Sequence, residues 1–277
     1  LGRLYGQGAR THITTVTLFG GLASTACWPL SAYFLEHFGW RATCFIYAAI
    51  HLCFSLPLYL FALKRGPLPD WTGDVAVKSR DASSRAVDRS RLIYLVLAVA
   101  IMIGSMITTV ISVHVLTVLQ SRGLTLAAAV TLAALIGPAQ VAARFTEMLI
   151  SRYHHSIWTK VTSVSLVALG IGLLWAGIPI IAVALILYGA GIGLESIARA
   201  TLPLALFGAA NYAPIMGRLA MPSLIAQAAA PSLGALLIQW FGVEGALGTI
   251  VVVALGNLAL TLALLALTAP QWRQSSQ

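Results

Sequence analysis

Apolar runs long enough to span a bilayer recur so regularly in this chain that they leave no room for a soluble fold. They cover about residues 11–35, 42–63, 92–119, 126–150, 157–178, 179–207, 217–241 and 245–267. A hydrocarbon core of about 30 Å needs roughly 20 helical residues at about 1.5 Å rise each, and every run meets that length. Glu36-His-Phe-Gly-Trp-Arg41, Ser121-Arg-Gly123, Arg152-Tyr-His-His-Ser156, Gly177-Ile-Pro179, Gly208 to Pro214 and Gly242-Val-Glu244 separate them with residues that punctuate helices. Only 9% of the 277 residues are charged against 59% hydrophobic, so the polar shell of a water-soluble core cannot be assembled. The expected fold is all-α, a polytopic membrane bundle of eight transmembrane helices.

Charge placement orients the bundle. The loop 64–91 carries Lys64, Arg65, Lys78, Arg80, Arg85, Arg89 and Arg91 between two apolar runs, and such loops retain Lys and Arg on the cytoplasmic side. Strict alternation from that loop places Arg3, Arg10, Arg152, Lys160, Arg218 and Arg273 inside as well, leaving only Arg41 and Arg122 outside. The C-terminus is then cytoplasmic, and the protein is expected to be multi-pass in a plasma (inner) membrane. Three segments follow: 1–63, 64–91 as a cytoplasmic linker, and 92–277 with six helices. The net charge of +9 follows from this orientation and is not gathered on a soluble face, so no nucleic-acid partner is expected.

Several chemistries find no residues to carry them. Cys27, Cys44 and Cys53 are odd in number, lack metal-ligand spacing and fall within apolar runs, where packing is their expected role. His51 and His114 have no second ligand one turn away, so hydrogen bonding between helices is expected of each. Gly189-x-Gly191-x-Gly193 lies inside an apolar run, where close helix packing explains it better than phosphate binding. No cofactor, metal or catalytic residue is expected, and the chain reads as a non-enzyme. A membrane enzyme acting on lipid-linked substrates is a rival reading that would need clustered carboxylates, whereas the runs offer single acids.

Polar groups inside apolar runs cost about 2.5 to 3.5 kcal/mol each when charged, so each needs a reason. Gln140, Arg144 and Glu147 share one face of a helix at i, i+4 and i+7. Glu195 and Arg199 are four apart with the acid first, the favourable order for an intrahelical pair. The functional reading makes Arg144 a counter-charge for an anionic substrate and Glu195 or Glu147 a proton-linked carboxylate. The structural reading makes them ion pairs that hold or latch the bundle, and it is preferred for Glu147 and Arg199, which lie nearer the inner surface. Gln227 and Ser223, set among Pro222, Pro231 and Gly234, suit a cavity wall, as do Ser105, Thr108, Thr109 and Ser112. Trp28 lies with Thr17, Ser24 and Ser31 on a stripe that another helix or a water-filled cavity should cover.

Two helices, a long basic loop and six more helices resemble the last two-thirds of a twelve-helix major facilitator superfamily transporter. Gly20-Gly-Leu-Ala-Ser-Thr-Ala-Cys-Trp-Pro-Leu30 with Gly39-Trp-Arg41 resembles that family's fifth helix and outer turn. Gly137-Pro-Ala-Gln-Val-Ala-Ala-Arg144 resembles its eighth helix, and Leu187-Tyr-Gly-Ala-Gly-Ile-Gly-Leu194 its glycine-rich tenth. The resemblance implies helices five to twelve, four earlier helices in the intact protein, and a peripheral, lipid-facing ninth and twelfth helix. It also implies secondary transport of a small solute by alternating access, with a coupling proton as a further partner. A non-transporting remnant is the alternative if those earlier helices are truly lost. Trp28-Pro29 is not followed by the paired glycines of drug:proton antiporters. Gln140-Val-Ala-Ala-Arg144 is similar to the Asp-x-x-x-Arg of monocarboxylate transporters with Gln140 in place of the acid. An organic anion is the substrate class this favours, with Arg144, Gln140, Glu195, Gln227 and Trp28 as binding or coupling residues.

Overall fold

The computed structural model describes residues 9–65 and 84–274, and in it five glycines with positive φ set boundaries that hydropathy leaves approximate. They are Gly39, Gly123, Gly177, Gly208 and Gly242, with φ between 69° and 82°, a conformation that a Cβ would strain. The helix Ala9–Ile50 is interrupted at Gly39, giving α1 (9–38) and α2, which runs from residue 40 through the π turn His51–Ser55 into Leu56–Arg65. Helix α3 is Ser84–Ser121, and α4 comprises Leu126–Ala133 and Ile136–Ile150. Helix α5 is Ser156–Trp175. The stretch Ile181–Gln274 is divided at Gly208 and Gly242 into α6 (181–207), α7 (209–241) and α8 (243–274). The described residues include no strand.

Prolines explain the irregular turns inside these rods. Pro57 has no N–H to give the carbonyl four residues back, and the chain accommodates it with a π turn in which Leu56 N–H reaches His51 O. Pro138 likewise leaves the carbonyl of Ala134 without its usual donor, at the point where α4 breaks over residues 134–135.

Six stretches of these helices are long and apolar enough to cross a membrane: Tyr33–Phe61, Arg89–Ser121, Leu126–Tyr153, Ser156–Trp175, Ile181–Gly208 and Asn211–Ala269. The last is 59 residues long, and Gly242 cuts it into two rods that match the separate runs expected there. The run expected at 11–35 falls on α1, most of whose side chains lie outside the described residues. Two expected loops are shorter than the sequence suggested. Between α6 and α7 only Gly208 leaves helical geometry, and α3 starts at Ser84, so the basic residues from Arg85 to Arg91 lie on its first turns.

The chain divides into two compact units, Leu22–Asp81 and Leu1–Gly21 with Ala82–Gln277. In the first, Tyr47 of α2 ties back to α1, its hydroxyl 2.6 Å from Ser31 Oγ, and its ring meets Phe34 edge-on at 6.1 Å. Cys27, Cys44 and Cys53 are exposed there and do not fill the packing role expected of them.

In the second unit, helices α3 to α8 pack around two apolar clusters. One includes Ile107, Ile111, Ile171, Tyr188, Ala230 and Leu247, the other Ile93, Leu97, Ile157, Leu202, Leu219 and Leu264. In sequence, Gly104 and the polar residues Ser105, Lys160, Ser163, Glu195, Arg199, Ser223, Gln227 and Asn257 fall between the two clusters on every helix that contributes to both. A polar layer therefore runs between two apolar ones.

Candidate functional site

Glycines let the helices of this layer approach one another. A Cβ on Gly191 would stand 2.8 Å from Ser163 O on α5, and one on Gly193 would stand 2.5 Å from Gln140 O on α4. The alternating glycines thus seat α6 against α5 on one face and α4 on the other, the packing role expected of them.

On the α5 face lies a neutralised pair. The Lys160 ammonium, 1% exposed, donates to Glu195 Oε1. Ser163 Oγ is 2.9 Å from both Glu195 Oε2 and Gly191 O, so its single proton serves two acceptors. Across α3, a Cβ on Gly104 would meet Asn257 Nδ2 and Glu195 Oε1, each at 3.5 Å. A void of about 10 Å³ remains, lined in part by Gly104, Thr108, Ser163, Glu195 and Asn257. Asn257 Oδ1 is buried there with no hydrogen-bond partner, and the void has room for about one water.

On the α4 face, Arg144 is buried, 8% exposed, and its hydrogen-bond partners among the described residues are neutral groups. Its Nε donates to Ser196 Oγ at 3.0 Å and Gly193 O at 3.4 Å, and Nη2 donates to Gln140 Oε1 at 3.4 Å. Arg199 crosses to α3 and α7, where Nη2 donates to Ser223 Oγ at 2.8 Å and Nη1 to Ser105 Oγ at 3.4 Å. Ser105 Oγ and Ser223 Oγ are 2.8 Å apart, and Gln227 Nε2 donates to Ser223 O at 3.1 Å and Oγ at 3.3 Å. Among the described residues, neither guanidinium has a carboxylate in ion-pair reach.

The layer therefore differs from the sequence expectation in its pairings. Glu195 pairs with Lys160 of α5 and not with Arg199, because a contact across closely packed helices replaces the intrahelical one. Glu147 reaches Thr159 of α5, accepting from its Oγ1 at 2.7 Å, and lies 3.4 Å from His154 Nε2. Arg199 forms no ion pair among the described residues, contrary to its expected latch role. Helices α5 and α8, expected to be peripheral, bring Lys160, Ser163, Asn257 and Thr261 into the buried layer. The hydroxyls of Thr108 and Thr109 donate to carbonyls one turn back on α3, at 2.8 and 2.9 Å. His114 Nε2 lies 3.1 Å from Pro231 O, an interhelical contact as expected. The side chain of Trp28 lies outside the described residues. Lys160, Ser163, Ser196 and Asn257 were not foreseen as site residues, although a lone Asn in the run 245–267 and a Lys inside 157–178 carry the general signal of an intramembrane polar group.

The family model described as Major Facilitator Superfamily matches residues 10–212. No curated protein and no solved structure matches the chain.

Proposed function

Because the chain belongs to the major facilitator superfamily, an assignment that makes it an integral multi-pass membrane transporter, we propose that its cargo is a small organic anion. The observation that carries this reading is Arg144. It is a buried cation whose described partners are a carbonyl, a hydroxyl and an amide oxygen, so its charge is left uncompensated in an apolar bundle. An unpaired charge in such a setting is costly, and an anionic solute removes the cost when it binds. Gln140 and Ser196 fix the guanidinium by its Nη2 and Nε edges, which leaves Nη1 for the ligand.

Transport by alternating access follows as part of the proposal: the half that contains 92–277 rocks against the half to which 1–63 belongs, while 64–91 links them on the cytoplasmic side. In that scheme the Lys160–Glu195 pair holds the bundle together as a rigid body, and Gln227 braces Ser223 beneath Arg199. The test is uptake of a solute panel into proteoliposomes. Anionic solutes are expected to accumulate, and Arg144→Ala is expected to abolish that uptake without reducing the amount of inserted protein. Unchanged uptake would return Arg144 to a structural role. Reporter fusions near Ser84 are expected to read cytoplasm and those near Gly123 the opposite side, and the reverse pattern would overturn the orientation.

A further inference from the structure

Hydrogen-bond counting in the polar layer identifies a second free cation. A guanidinium carries five N–H donors. Arg199 spends one on Ser105 and one on Ser223, and Arg144 spends two on its neutral partners, so each keeps three donors without a partner among the described residues. The serines beneath Arg199 point the same way. Ser223 Oγ accepts from Arg199 and Gln227, which occupies both of its lone pairs, and its proton therefore goes to Ser105 Oγ. Ser105 Oγ accepts from Ser223 and Arg199, so its own O–H is spare. Apart from the Gln227 amide oxygen, the groups left over in this cluster are donors, and the fixed charge is positive. Such a surface, with its fixed positive charge and surplus of N–H and O–H groups, suits an oxyanion.

The carboxylates described in the bundle do not satisfy it. Glu195 is engaged by Lys160, Glu147 by Thr159 and His154, and Glu244 is exposed at the turn between α7 and α8. Among the described residues the two arginines also share no hydrogen-bonding partner: Arg144 grips α6 at Gly193 and Ser196, while Arg199 leaves α6 towards α3 and α7. A solute with one carboxylate would neutralise one guanidinium and leave the other bare.

We propose that Arg199, with Ser105 and Ser223, is a second anion-binding group beside Arg144, and that the solute carries two carboxylates on a short chain. This rests on the anion reading above and narrows it to dicarboxylates.

The test uses the purified protein in lipid nanodiscs and reads ligand-induced thermal stabilisation with malonate, succinate and glutarate against propanoate, butanoate, pentanoate and inorganic phosphate at fixed pH and ionic strength. At least one dicarboxylate is expected to bind about tenfold tighter or more than the monocarboxylate of equal length. Arg199→Gln is expected to weaken dicarboxylate binding about tenfold and monocarboxylate binding far less, which erases the preference, and Arg144→Gln to weaken both. Should Arg199→Gln fail to fold, Arg199→Lys, which keeps the charge and loses the fork, is expected to retain only part of the preference. Equal affinity for the two acid classes, tighter binding of phosphate than of any dicarboxylate, or a preference that survives replacement of Arg199 would overturn the inference. If monocarboxylates bind through Arg144 without such a preference, the anion reading stands and this one fails. If no anion binds at all, both fail.

Discussion

Lys160 and Arg144 are two buried cations that contact opposite faces of one helix, and the helix treats them differently. Lys160 meets a carboxylate on α6, whereas Arg144 meets a carbonyl and a hydroxyl. Their charges therefore have different destinations. A cation neutralised inside the protein contributes to holding helices together and has little left for a ligand. A cation held only by neutral groups is positioned but not compensated, and its remaining donors are available to a solute.

The largest expected effect tests the Arg144 side of this contrast. Arg144→Ala removes the counter-charge and is expected to lower anion uptake by at least about a hundredfold, the order of effect seen when a positioned charge is lost from a site. Stability in detergent should change little by comparison, because no buried carboxylate is orphaned. A variant that unfolds while its residual folded fraction still transports would place Arg144 with Lys160 instead.

The Lys160 side predicts the opposite division. Glu195→Gln or Lys160→Met leaves one charge of a buried pair without its partner, which costs about 3 to 5 kcal/mol. Replacing both together is expected to recover most of that loss, since two neutral side chains of similar size leave no charge behind. Thermal unfolding of the two single variants and the double variant in the same detergent forms a cycle. Additive losses would mean that the two side chains do not depend on each other.

These two sites also mark how far the sequence could be read. The eight rods were legible because bilayer thickness and the positive φ of glycine act along the chain, one residue at a time. Gly39, Gly208 and Gly242 sit where a hydropathy break was expected, and each takes a conformation that other residues resist. The presence of costly groups was legible too, since Arg144, Glu195 and Arg199 stand out in apolar runs. The choice of partner was not. Spacing on α6 pairs Glu195 with Arg199, but Gly191 lets α5 approach until Ser163 and Lys160 reach the carboxylate first. Which helices touch is a property of packing between distant segments, and periodicity within one segment does not encode it. For the same reason the contacts of Asn257 and Ser196 are not encoded locally: each meets a neighbour that is far away in sequence.

The same glycines provide a smaller and more discriminating test. Gly191→Ala places a methyl against Ser163 O on α5, and Gly193→Ala places one against Gln140 O on α4. Overpacking at such contacts costs about 1 to 3 kcal/mol in either case. The functional consequences should differ. Pushing α5 away loosens the Lys160–Glu195 contact and is expected to lower the unfolding temperature while anion affinity stays within a fewfold. Pushing α4 away moves Arg144 relative to Ser196 and is expected to weaken anion binding about tenfold at a similar cost in stability. Equal losses of affinity in the two variants would mean that the faces of α6 do not act separately.

The smallest effect belongs to a hydroxyl that is already spent. Thr109 Oγ1 donates to Ser105 O on its own helix, so it has no proton left for a ligand and ties no second helix to α3. Thr109→Val removes only that local bond and keeps the branched shape. Stability is expected to move by no more than about 0.5 kcal/mol, and anion uptake to remain at the wild-type rate. Ser105, whose proton is free and whose oxygen meets Arg199, stands four residues away and is expected to behave otherwise, with Ser105→Ala weakening anion binding. A large loss of uptake in Thr109→Val would show that this face of α3 gives up its internal hydrogen bonds when solute arrives. The distinction between spent and spare donors would then fail at that point, and with it the separation of Lys160 from Arg144.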